Sequence, residues 1–117
     1  MTTFRSLSLA ILGICLTALA CLAADYEQGE KLFNDPFLGG GITGKTCYTC
    51  HAAGEGIDPD FEHKAKYSVM GLEMHTLSEV INNCIEITLR GEGLDPDGPE
   101  MKALIAYIRI LKKTAGR

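Results

Sequence analysis

Apolar and polar positions divide the chain into stretches of different texture. Residues Ser6 to Ala24 carry no charge, and Leu7 to Ala20 form a nearly unbroken apolar run. From Tyr26 the pattern turns periodic. Tyr26 to Asn34 predicts a first helix, with Gly29 and Phe33 one turn apart. Pro36 and the run Gly39-Gly40-Gly41 break the chain into a loop lasting to Thr46. Residues 47–53 predict one short turn, because Gly54 and Gly56 follow at once. Residues 54–75 mix acidic, basic and apolar side chains without a period and read as mostly loop.

Order returns at Thr76-Leu77-Ser78-Glu79, where a threonine followed three residues later by glutamate forms a capping box. The helix it opens carries Leu77, Val80, Ile81, Cys84, Ile87 and Thr88 as one stripe and ends near Gly91 or Gly93. Asp95-Pro96-Asp97-Gly98 is turn chemistry, and Pro99 suits the first position of a last helix running to Lys113. On that helix Met101, Leu104, Ile105, Ile108 and Leu111 form one apolar stripe, and Ala103, Tyr107 and Ile110 a neighbouring one. No stretch alternates long enough to predict a strand. The expected fold is all-α, with three or more helices.

Composition changes the picture at the N-terminus. The 117 residues suit one domain, and all fifteen carboxylates lie from Asp25 onward. A short segment with Arg5, an apolar stretch, and the small residues of Cys21-Leu22-Ala23-Ala24 together have the layout of a cleaved secretory signal peptide over residues 1–24. The apolar stretch is short for a stable membrane span. An uncleaved anchor, or a lipid anchor at Cys21, are the alternatives. The cysteine lacks the usual leucine three positions before it. Residues 25–117 then form the domain, exported to an oxidising compartment such as the periplasm. Ten basic residues against fifteen acidic ones give it a charge of −5. An acidic surface argues against nucleic acid as a partner, since phosphate binding needs a basic face.

Removal of the export segment leaves three cysteines: Cys47, Cys50 and Cys84. Three thiols cannot all pair as disulfides, so at least one has another use. Cys47-Tyr48-Thr49-Cys50-His51 is the attachment sequence for a c-type haem. Two thiols three positions apart on one turn reach the two vinyl groups of one porphyrin, and the adjacent His51 is aimed at the iron. A zinc ribbon would need a second Cys-x-x-Cys pair, and a thioredoxin-type motif would need a βαβ context; the sequence has neither. The acidic turns Asp58-Pro59-Asp60 and Asp95–Gly98 carry too few regularly spaced oxygens for calcium.

On these residues the chain resembles a class I monohaem cytochrome c over the stretch that follows the export segment. The resemblance rests on Gly29-Glu30-Lys31-Leu32-Phe33, on Cys47 to His51, and on Ala103-Leu104-Ile105-Ala106-Tyr107-Ile108. It implies three or more helices around one covalent haem c. It also implies a crossing of the first and last helices at which Gly29 and Phe33 meet Tyr107. Cys47, Cys50 and His51 would bind the cofactor, with His51 as proximal iron ligand.

The distal ligand departs from that family. The loop Gly91 to Gly98 has no methionine, where a typical member places its axial one. Residues 76–108 resemble haem domains of bacterial thiosulfate dehydrogenases and related sulfur-oxidation cytochromes, which implies Cys84 as distal ligand. Met70 in the preceding loop is an alternative, Met101 on the last helix another, and His63 with His75 would make a bis-His site. The expected function is electron transfer between redox proteins, with the acidic charge predicting a partner that has a basic docking face. A haem domain or accessory subunit in thiosulfate oxidation is the second reading. A gas-binding haem with a weak distal ligand is a third, suggested only by the missing loop methionine.

Overall fold

The computed structural model describes residues 21–22 and 25–115. The expected export segment lies outside them apart from Cys21 and Leu22. Residues 25–33 form the first helix, α1, which stops just before Asn34 and Pro36. Proline disfavours helical backbone in the residue before it, so the chain leaves the helix there. The Asn34 amide closes the last turn onto the Glu30 carbonyl at 3.2 Å, and the Phe37 amide turns onto the Asp35 carboxylate at 2.8 Å. After a 3-10 turn at Leu38–Gly40 comes α2 (Cys47–Cys50), and a second 3-10 turn follows at Ala52–Gly54.

Within residues 54–75, expected to be mostly loop, lies a two-stranded antiparallel hairpin, β1 (Tyr67–Val69) and β2 (Leu72–Met74). Its loop is Met70-Gly71, with φ of 54° and 78°. Two successive positive φ values are what a two-residue hairpin needs to match the twist of its strands. Three residues a strand is too short for alternation to show in the sequence.

The capping box forms as expected. The Thr76 side chain accepts from the Glu79 amide at 3.2 Å and the Glu79 carboxylate accepts from the Thr76 amide at 3.1 Å, opening α3 (Leu77–Cys84). The rest of that helix differs from the expected stripe. Ile87 is 52% exposed, whereas Ile85 and Leu89 are buried. The cause is a π-helical segment, Ile85–Leu89, that continues α3 directly. Its wider turn accommodates an extra residue, which carries Leu89 back over Ile85 and swings Ile87 outward. Arg90, in left-handed conformation, ends it.

Asn82 holds the return of the chain: its side chain donates to the Leu94 carbonyl and accepts from the Leu94 amide, both at 2.8 Å. The turn Asp95–Gly98 closes with a 3.0 Å bond from the Gly98 amide to the Asp95 carbonyl. The last helix, α4 (Pro99–Ala115), runs two residues past its expected end. Met101, Ala103, Leu104, Tyr107 and Ile108 are buried, while Ile110 is 39% exposed and lies off the core.

α1 crosses α4 at Gly29. A Cβ there would stand 2.2 Å from the Ala103 carbonyl oxygen and 2.6 Å from the Tyr107 Cβ, so only glycine permits the approach. Around the crossing the Tyr107 ring packs at 5.2 Å from Tyr26 and 5.3 Å from Phe33, tilted in both cases, as aromatic pairs prefer. The fold is mostly helical, four helices and one small hairpin among the described residues. None of those helices is long and apolar enough to cross a membrane.

Candidate functional site

α2 is a single turn with no buried residue of its own, so local capping has to hold it. Thr46 supplies the cap. Its hydroxyl accepts from the Thr49 amide at 3.2 Å, and the Thr49 hydroxyl accepts from the Thr46 amide at 2.9 Å. That turn carries Cys47 and Cys50, three residues apart and therefore on one side of it. His51 follows, its amide closing onto the Cys47 carbonyl at 2.9 Å. The imidazole Nδ1 lies 2.8 Å from the Glu55 carbonyl oxygen. A carbonyl only accepts, so Nδ1 carries a proton, and Nε2 is the nitrogen that holds the lone pair in the neutral ring. Such a bond fixes both the tautomer and the ring plane of an imidazole that binds metal.

Above this turn lies a cavity of about 380 Å³, within the range of cofactor sites. Cys47, Cys50 and His51 line one end. The remaining walls are largely apolar. α3 and its π segment contribute Leu77, Val80, Ile81, Ile85 and Leu89, the deep side is closed by Phe33, Leu104 and Ile108, and Ile57 and Phe61 come from the intervening loop. β1 forms the outer wall, tied down by the Tyr67 hydroxyl, which donates to the Phe61 carbonyl at 2.6 Å.

Cys47, Cys50 and Cys84 are free thiols. Burial, followed by the neighbouring Cys84 and Cys50 and partly opposed by a backbone hydrogen bond, pushes the Cys47 thiol up to about 11. Burial, followed by Cys50, raises the Cys84 thiol as well. Both are protonated at neutral pH, and the mutual influence puts Cys84 within electrostatic reach of the paired cysteines. Cys84 lines the cavity from α3, and Met70 lines it from the hairpin tip, where it is 61% exposed.

Met101 is fully buried in the core and does not line the cavity. His63 and His75 are exposed and do not line it either. The structure therefore brings together Cys47, Cys50, His51, Cys84 and Met70 from the expected candidates, and leaves Met101 and the two other histidines apart. Among the described residues no group of three His, Cys, Asp or Glu side chains is arranged to hold a bare metal ion. Asp58 and Asp95 cap their own turns, each accepting from the amide two residues on at 2.9 and 3.0 Å.

Two contributors were not legible from sequence. Glu55 acts through its backbone carbonyl, which any residue possesses. Tyr67 acts through a hairpin whose only signal was the glycine of Val69-Met70-Gly71-Leu72. No family model, curated protein or solved structure matches the chain.

Proposed function

We propose that the protein is an exported monohaem c-type cytochrome of class I type, which carries electrons between redox proteins in the periplasm. The observation that carries this reading is His51, held by the Glu55 carbonyl beside the two thiols of one capped turn, at the end of a largely apolar cavity. Volume, apolar walls and donors all suit a large flat prosthetic group anchored along one edge. When bound, the haem supplies an iron centre that takes up and releases one electron at a time. Cys47 and Cys50 would hold it covalently, Nε2 of His51 would be an iron ligand, and the apolar walls would exclude water.

A second iron donor would come from one of the two sulfur side chains of the cavity wall outside the Cys47–Cys50 turn, Cys84 or Met70. A thiolate lowers the reduction potential and a thioether raises it, so the choice sets which partners can exchange electrons with the protein. Cys84 favours a second reading, a haem domain in thiosulfate oxidation, because its half-buried thiol stands in the cavity wall.

The full chain, expressed with export and haem-attachment machinery, should gain one haem in mass and give the pyridine spectrum of a haem with both vinyl groups saturated. Cys47→Ser with Cys50→Ser should abolish both signals. A wild-type chain recovered from that host with no covalent haem would refute the proposal. In the oxidised protein, a weak far-red sulfur-to-iron band lost in Met70→Ala assigns the thioether. A thiolate spectrum lost in Cys84→Ala assigns the cysteine, and thiosulfate turnover by the protein alone would favour the second reading.

A further inference from the structure

The net charge predicts a basic partner, but charge is unevenly spread along α4. Before and at its N-terminus stand Glu92, Asp95, Asp97 and Glu100 against Arg90 and Lys102; its C-terminal half carries Arg109, Lys112 and Lys113 and no carboxylate. The helix has 17 residues, about 25 Å at 1.5 Å per residue. Screening at physiological salt acts over about 8 Å. The two ends are thus independent electrostatically, and an approaching molecule responds to the end it meets.

At the basic end is a second groove of about 220 Å³, where Arg109, Lys112, Lys113 and His63 stand against one carboxylate, Glu62. Glu62 accepts from Arg109 Nε at 2.7 Å, and Asp58, bonded to Lys64, also lies within electrostatic reach of Lys112, which leaves Lys113 as the groove's least compensated cation. The groove adjoins the candidate haem site by two routes. Phe61 walls both, and Gly54 in the turn after His51 packs on α4, where a Cβ would stand 3.5 Å from Leu111 Cβ and 3.6 Å from Lys112 Cδ. The cavity's attachment turn therefore lies at the cationic end of an acidic protein.

We propose that the electron-transfer partner docks here through a carboxylate-rich face, at the groove formed by His63, Arg109, Lys112 and Lys113. This inference rests on the haem-carrier reading above. Contact at the groove places the partner beside the walls of the cavity, whereas the acidic end would hold it a helix length away.

The test uses the haem-loaded, reduced protein and hexacyanoferrate(III), which accepts one electron and becomes hexacyanoferrate(II) while the iron is oxidised by one. Its rate should fall on the order of tenfold as ionic strength rises, because a local cationic field attracts the anion. A domain of net −5 without such a field would give a rate that rises with salt. Lys112→Glu with Lys113→Glu should invert the slope, whereas Lys31→Glu with Lys102→Glu, an equal charge change elsewhere, should leave it falling. A rising wild-type rate, or equal shifts in both double variants, overturns the proposal. So does capture by anionic phospholipid vesicles that the groove variant loses, since the groove would then serve a lipid surface. Retention of the protein on immobilised poly-L-glutamate at low salt, lost only in the groove variant, reads the same surface without the iron. A chain lacking covalent haem counts against the carrier reading. A loaded chain with the wrong salt slope counts against this one.

Discussion

At Gly29 a single missing carbon decides whether two helices can touch. Gly29→Ala would put a methyl group 2.2 Å from a backbone oxygen of α4, which has no rotamer by which to yield. The helices must separate, loosening the Tyr26, Phe33 and Tyr107 cluster. We expect a loss of about 1–3 kcal/mol, the usual cost of overpacking, read as a lower denaturation midpoint at unchanged slope. Ala103→Gly on the facing helix would not restore it, because the obstacle is the carbonyl. His51 makes a related point. Its neighbours in sequence make it the candidate ligand, yet the atom that orients it belongs to a peptide group four residues on. Residue identity reveals side-chain chemistry; it is silent about backbone groups, which every residue shares.

Among the elements, α3 shows how much patterning conveys. Its capping box was legible because it depends on two side chains at a fixed spacing. Its register past Cys84 was not, because a π turn changes the period on which the stripe was drawn. The hairpin escaped for a different reason: strands of three residues are too short to distinguish from a mixed loop. Met70 at the hairpin tip is likewise unexpected, since asparagine or glycine more commonly accepts that left-handed backbone. The capping box also makes a pH prediction. The Glu79 carboxylate accepts from the His75 and Thr76 amides, and those bonds lower its pKa from the ordinary 4.5. A lowered folded value gives stability that is present above pH 4.5 and is lost as pH falls through the folded value. Glu79→Gln should therefore lower the melting temperature modestly at pH 7. The gap from wild type should close progressively below pH 4.5 in thermal melts followed by circular dichroism.

For the whole molecule the cavity sets the energetics. At about 24 cal/mol per Å³, a sealed void of 380 Å³ would correspond to about 9 kcal/mol. The cavity is partly open, so this is an upper bound, but it is the size of a small domain's whole stability, about 5–15 kcal/mol. The attachment-deficient Cys47→Ser, Cys50→Ser chain should accordingly melt at least 10 °C below the loaded protein, roughly what a 2 kcal/mol difference produces at this size. Equal melting points would show that the apolar walls gain nothing from a filled cavity. The general helical plan was legible in the sequence because amphipathic stripes and caps are local. The enclosure was not, because it is assembled from α1, α2, β1, α3 and α4 together.

The crossing of α1 and α4 bears on how such a domain comes apart. Gly29 and Ala103 touch across 74 steps of chain, so α1 and α4 brace one another directly. A domain whose ends lie apart can fray inward from either one, shedding a helix while the centre persists. Here the loss of α1 or α4 strips the support from the other and uncovers Phe33, Leu104 and Ile108 in the wall of the cavity. Such a clasp couples local opening to global opening, and we expect thermal unfolding followed by circular dichroism and by tyrosine fluorescence to give coincident transitions.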